Sequence, residues 1–163
     1  MKRNISIAGM ILLALALNTV AGSLKADFNG EWTMDKSRTE GLPPDVDQTM
    51  TIKQTADTLD IVTKVTADSG DLTVPVTYVL DGKTVEYQAS RQGLEGKGKR
   101  TGKWTTDGFE VNEEESLDGP QGPVVVQFSR KWTMQPDGKT VVIVMDIKGP
   151  NGSQTIKRTF VKK

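Results

Sequence analysis

The sequence predicts an all-β fold, an antiparallel up-and-down β-barrel of eight to ten strands that follows a removable leader. Three observations predict it. Apolar and polar residues alternate along most of the chain, turn signals recur about every dozen positions, and helical spacing of apolar residues is missing from every long window.

The leader comes first. Lys2 and Arg3 give a positive start, residues 5–17 are dominated by apolar side chains, and small residues follow at Ala21, Gly22, Ser23 and Ala26. This is the order of a secretory signal. Residues 1–26 are therefore expected to be a cleaved signal peptide and residues 27–163 the barrel domain, with a cut near Gly22 or Ser23 as the alternative. The apolar run stops at Asn18-Thr19, short of the roughly 20 residues a membrane span needs. The mature chain is expected to carry no transmembrane segment and to be exported, periplasmic or secreted.

Ten extended segments come after the leader. Residues 28–35 place Phe28, Gly30, Trp32 and Met34 on one face. Beyond a loop with Gly41 and Pro43-Pro44, residues 48–55 set Met50 and Ile52 against Thr49, Thr51 and Lys53. Ala56-Asp57 turns into 58–66, with Leu59, Ile61 and Val65 on one face. Asp68-Ser69-Gly70 turns into 72–80, with Leu72, Val74, Val76, Tyr78 and Leu80 aligned. Pro75 cannot donate to a ladder, so it marks a bulge or a gap toward a neighbour, the bulge being the first expectation. Asp81-Gly82 is a favoured hairpin turn into 84–90, which carries Val85, Tyr87 and Ala89.

In 94–105, Gly96, Gly98, Arg100, Gly102 and Trp104 share a face, with Lys97, Lys99 and Lys103 opposite. Those glycines mark a barrel corner or clear room for a guest beside Arg100. Asp107-Gly108 leads to 109–117, with Phe109, Val111, Glu113 and Glu115 aligned. A Gly/Pro-rich turn leads to 124–134, with Val126, Phe128, Arg130 and Trp132. Pro136-Asp137-Gly138 leads to 140–148, with Val141, Ile143, Met145 and Ile147. Gly149-Pro150-Asn151-Gly152 leads to 153–162, with Ile156, Arg158 and Phe160.

Short links join antiparallel neighbours, so strand order in the sheet should follow chain order, and closure removes the exposed edges. The apolar set faces inward and the charged set faces water. That polarity is the reverse of an outer-membrane barrel.

Composition narrows the function. Cys and His are both absent, which excludes Cys nucleophiles, Ser-His-Asp triads and His-ligated haem or zinc. No cofactor and no metal site is expected, and no catalytic residue is assigned. Lys+Arg and Asp+Glu are both 21; losing Lys2, Arg3 and Lys25 with the leader leaves a net charge of −3. That disfavours nucleic acid as a partner. Oligomeric state is left open.

Gly30-x-Trp32 on the first strand and Arg158 on the last resemble the signature of the calycins, the lipocalins and fatty-acid-binding proteins. Strand number and Arg158-Thr159-Phe160 look most like the fatty-acid-binding branch. The resemblance implies that Arg158 covers Trp32, so that Gly30, Trp32 and Arg158 close the barrel base. It also implies that Arg130 and Arg158 face a ligand carboxylate. Phe160 stands where that branch carries a tyrosine, and the segment from 36 to 47 shows no helix-turn-helix lid.

Inward charge needs a partner or a ligand, because unpaired buried charge costs several kcal/mol. The internal pairing expected is Arg100 with Glu113, and Arg130 with Glu115 or its neighbour. The alternative is an anion site at Arg130, Arg158 and Arg100, with Trp132, Phe128, Tyr78 and Met145 against the tail of a small hydrophobic or amphipathic ligand. Trp104 is a further stacking candidate. Two other functions are kept: a solid barrel serving interaction or envelope maintenance, and a carboxylate enzyme using Glu113 or Glu115.

Overall fold

The computed structural model of the protein describes residues 25–163. The expected leader lies outside the described residues, apart from Lys25 and Ala26. Alternation dictates a curled sheet, since a strand with one apolar face is stable only where that face is covered. The strands are β1 (Gly30–Met34), β2 (Asp47–Gln54), β3 (Thr58–Thr66), β4 (Leu72–Val79), β5 (Asp81–Arg91), β6 (Leu94–Trp104), β7 (Gly108–Gly119), β8 (Gly122–Met134), β9 (Thr140–Gly149) and β10 (Gly152–Lys162).

They form one ten-stranded antiparallel sheet in the order β4-β3-β2-β1-β10-β9-β8-β7-β6-β5. Consecutive strands pair, as chain order predicts, with one exception. The last strand returns to the first, Trp32 opposite Lys162 and Met34 opposite Phe160. The result is a nearly closed barrel whose ladder is interrupted between β4 and β5.

That interruption corrects two expectations. Asp81-Gly82 makes no hairpin between β4 and β5. It opens β5, where the register against β6 shifts between Asp81 and Thr84 and Gly82 takes φ 79°. The local turn chemistry is satisfied by a bulge. Pro75 lies in unbroken register, Val62 opposite Pro75 between two regular pairs. Its effect is on the free side of β4, a gap rather than a bulge.

The core fills the end of the barrel where β1 meets β10. Phe28, Trp32, Phe109, Leu59, Ile52 and Phe160 are all essentially inaccessible to solvent. The rings interlock, with Phe109 stacked on Trp132 at 5.0 Å and edge-on to Phe28 at 5.1 Å. Such pairs add about 0.5–1.5 kcal/mol each beyond their buried area. The apolar faces expected from alternation are buried on most strands. Leu72, Val74 and Val85 are exposed instead; all three flank the interrupted ladder.

Segment 35–46 carries one turn of 3-10 helix at Lys36–Arg38. It then runs beside β10, with Glu40 bridged to Lys157 and Thr159 donating to the Arg38 carbonyl at 2.9 Å. It lies alongside β10 as a continuation of the β1 edge and contains no helix-turn-helix lid.

Candidate functional site

Above the aromatic floor the interior is hollow. A cavity of about 520 Å³ reaches from Trp132 and Phe160 to Arg91 and Ser90. Its wall carries apolar side chains, Met50, Ile61, Tyr78, Ile143 and Met145 among them, interleaved with the polar and charged Gln48, Arg100, Arg130, Arg158, Glu113 and Glu115.

Strand register explains how these charges meet. Arg100 on β6 stands opposite Glu113 on β7, and its Nε reaches Glu113 Oε1 at 2.5 Å. Val111 stands opposite Arg130, so Glu113 is one diagonal step away and its second oxygen pairs with Arg130 Nη1. One carboxylate thus holds two arginines. The Glu113 carboxylate is only 2% exposed, so the pairing takes place out of bulk water. Burial draws the Arg130 guanidinium below its ordinary value, and the charges of Arg91 and Arg100 add to this.

The second carboxylate departs from expectation. Glu115 pairs with Arg91, not Arg130, and accepts from the Tyr87 hydroxyl at 2.8 Å. The row Tyr87–Gly98–Glu115 crosses three strands. A Cβ on Gly98 would fall 2.4 Å from the Tyr87 ring. The missing side chain lets that ring lie across β6 and reach Glu115. Burial, reinforced by the hydrogen bond to Glu115, pushes the Tyr87 phenol up to about 12. Gly96 and Gly102 likewise admit backbone, of Ser116 and Val79 respectively. None of the three clears room for a guest.

Arg158 is the one arginine of the cavity wall with no carboxylate partner among the described residues. Its Nη1 donates to Gln48 Oε1 at 3.3 Å, and its buried Nε has no hydrogen-bond partner in the protein. Burial lowers its pKa from the ordinary value, and the neighbouring Arg130 charge lowers it further. Trp132, also on the cavity wall, has a buried indole N–H without a partner. Gln48 continues the Met50 and Ile52 face by one step. Alternation alone gives that position, but glutamine carries no core signal to draw attention to it.

Several other placements differ from the sequence reading. The cation over Trp32 is Lys162, 5.4 Å from the ring centroid. Arg158 is four residues earlier on β10, about 13 Å from Lys162 at the rise of an extended strand. Gly30 serves that lysine: with φ 123°, it would place a Cβ 2.9 Å from Lys162 Cε. Phe128 does not line the cavity. Its ring is flanked by the guanidinium groups of Arg91 at 4.2 Å and Arg130 at 5.0 Å. Trp104 sits at the base beneath Lys25, 5.0 Å from the Nζ. Tyr78 and Trp132 line the cavity. Glu113 and Glu115, the residues named for acid–base chemistry, are both engaged by arginines.

Comparison with known proteins adds the fold. A zebrafish ileal bile acid-binding protein solved with cholic acid matches with a TM-score of 0.51 at 17% identity, over 83% of this chain and 98% of that one. Apo lipid binding protein 8 of Caenorhabditis elegans matches with a TM-score of 0.51 at 12% identity, over 83% and 95%. The likeness is one of fold: the chain shares the barrel of those two proteins. No family model matches the sequence, and no curated protein does.

Proposed function

We propose that this barrel is an exported carrier of a small amphipathic molecule, held with an anionic head against Arg158 and Arg130 and its apolar body over Trp132, Tyr78 and Met145. The observation that carries the reading is Arg158: a half-buried guanidinium on a cavity wall, with a buried, unpartnered Nε and no carboxylate of its own among the described residues. Arg130 and Arg158 face the cavity from β8 and β10, with β9 between them. Two strands at about 4.8 Å spacing leave their side chains within reach of one bound anion. Arginine holds a carboxylate or phosphate by paired N–H donors. The cavity falls within the usual 300–1,000 Å³ of small-molecule pockets, and an apolar guest agrees with the bile acid-binding and lipid binding proteins that share the fold. Export rests on the leader-like residues 1–26.

The test is titration with a fluorescent fatty acid and its alcohol analogue. Arg158→Gln is expected to weaken the acid roughly tenfold to a hundredfold, the worth of a charged hydrogen bond, and to leave the alcohol nearly unchanged. Equal weakening of both analogues, or of neither, would remove the head-group assignment.

A further inference from the structure

We propose that the interrupted ladder between β4 and β5 is a lateral passage by which the guest reaches the cavity, latched at its lower end by Arg100. The inference rests on the carrier reading above and adds its route.

Four observations support it. The slot opens directly into the cavity, whose wall includes Val74, Pro75 and Val76 from one lip and Gln88, Ala89 and Ser90 from the other. The lips carry apolar side chains of inward parity that stand in solvent: Leu72 is 60% exposed, Val74 41% and Val85 41%. The free edge of β4 is unsuited to another strand. The Thr77 carbonyl accepts from Arg100, which lies across the slot. Thr77, Pro75 and Thr73 therefore turn their backbone groups to the slot, since alternate residues share a side. Proline at the centre removes one N–H from that edge, which blocks pairing by an added strand. An apolar-lipped opening that refuses a β-strand suits a small molecule better than a peptide or a second copy.

The fourth observation is the latch. Among the described residues, the side-chain tie across the slot is Arg100 Nη1 to the Thr77 carbonyl at 3.1 Å. Its guanidinium lies between the rings of Tyr87 and Tyr78, at 4.5 Å and 5.0 Å. Below it β4 and β6 come close, since a Cβ on Gly102 would fall 2.6 Å from the Val79 carbonyl. Above it β4 and β5 share no ladder. Widening the slot thus requires breaking one hydrogen bond and sliding one cation from between two rings, with Glu113 retained as its partner.

The chain has no cysteine, so a single Met145→Cys on the cavity wall reports access. Its labelling rate with N-ethylmaleimide is measured alone, then with the slot plugged by Val74→Trp or by Gln88→Trp at an exposed position on the other lip. Labelling is expected to slow at least tenfold in both plugged proteins and to quicken severalfold with Arg100→Gln. Association and dissociation of anilinonaphthalene sulfonate should change in the same direction. Unchanged labelling in both plugged proteins would overturn the passage, whether or not the dye binds. Slowed labelling in a protein that binds no dye would leave the passage standing and remove the carrier reading.

Discussion

Glu113 neutralises two arginines with one buried carboxylate, so its removal strands both. Glu113→Gln is expected to destabilise the fold by about 3 kcal/mol, the lower end for a broken buried pair because Arg100 and Arg130 keep some solvent contact. Urea unfolding of the single variant and of Glu113→Gln/Arg130→Gln checks this, the double variant regaining part of the loss. Tyr87 gives a second test. Its phenol is raised from 10.0 to about 12, so the folded state binds this proton more tightly than the unfolded chain. The stabilisation it brings is complete below pH 10 and is lost as pH climbs toward 12. The phenolate absorbance of the protein should therefore include a late step that is missing from Tyr87→Phe. The Arg100–Glu113 pair is legible in sequence because register places the two opposite each other. The Arg91–Glu115 pair is not, because it depends on how the ends of β5 and β7 twist together. Lys162 is hidden for a similar reason: a terminal lysine signals nothing until Trp32 is known to stand beside it.

Among the elements, β6 shows what inward glycines do in this wall. A Cβ on Gly96 would sit 2.0 Å from the Ser116 carbonyl oxygen, whereas one on Gly98 would meet only the movable ring of Tyr87. Gly96→Ala should therefore cost about 1–3 kcal/mol through forced backbone shifts. Gly98→Ala should cost less and instead abolish the late phenolate step by displacing Tyr87 from Glu115. Thermal melts and the same absorbance titration separate the two. The strands themselves are legible almost residue by residue, because alternation and turn chemistry agree along most of the chain. The β4–β5 connection is where local and global preference part. Asp81-Gly82 has the chemistry of a tight hairpin, yet the curvature that lets β10 reach β1 pulls the neighbouring edges apart. No local signal encodes that separation except Pro75.

For the whole molecule, the base is closed by the residues that precede the first strand. Lys25 Nζ pairs with Asp57 at 3.0 Å and lies over Trp104. Gln54 donates to the Ala26 carbonyl at 3.0 Å and accepts from the Phe28 N–H at 2.7 Å. On the proposed export, the mature chain is expected to begin upstream of Lys25, in keeping with a cut near Gly22 or Ser23. Intact-mass measurement of the protein purified from its own host would show this, and a chain starting at Asp27 would contradict it. The barrel and its inward charge are legible in sequence; the hollow is not, since its volume depends on shear and on arginines folding back against their partners.

The pairing of β1 with β10 has a consequence for synthesis. A ribosome delivers β1 long before its second partner, β10. Until then the nascent sheet can grow but cannot shut, and β1 waits with one row of amides unanswered. Contacts of such long sequence separation make folding slow. A chain lacking β10 would have most of its strands and no ring, open along β1 and β9 and prone to stick to its neighbours. Closure therefore waits on β10: only a chain that includes it can hide those edges.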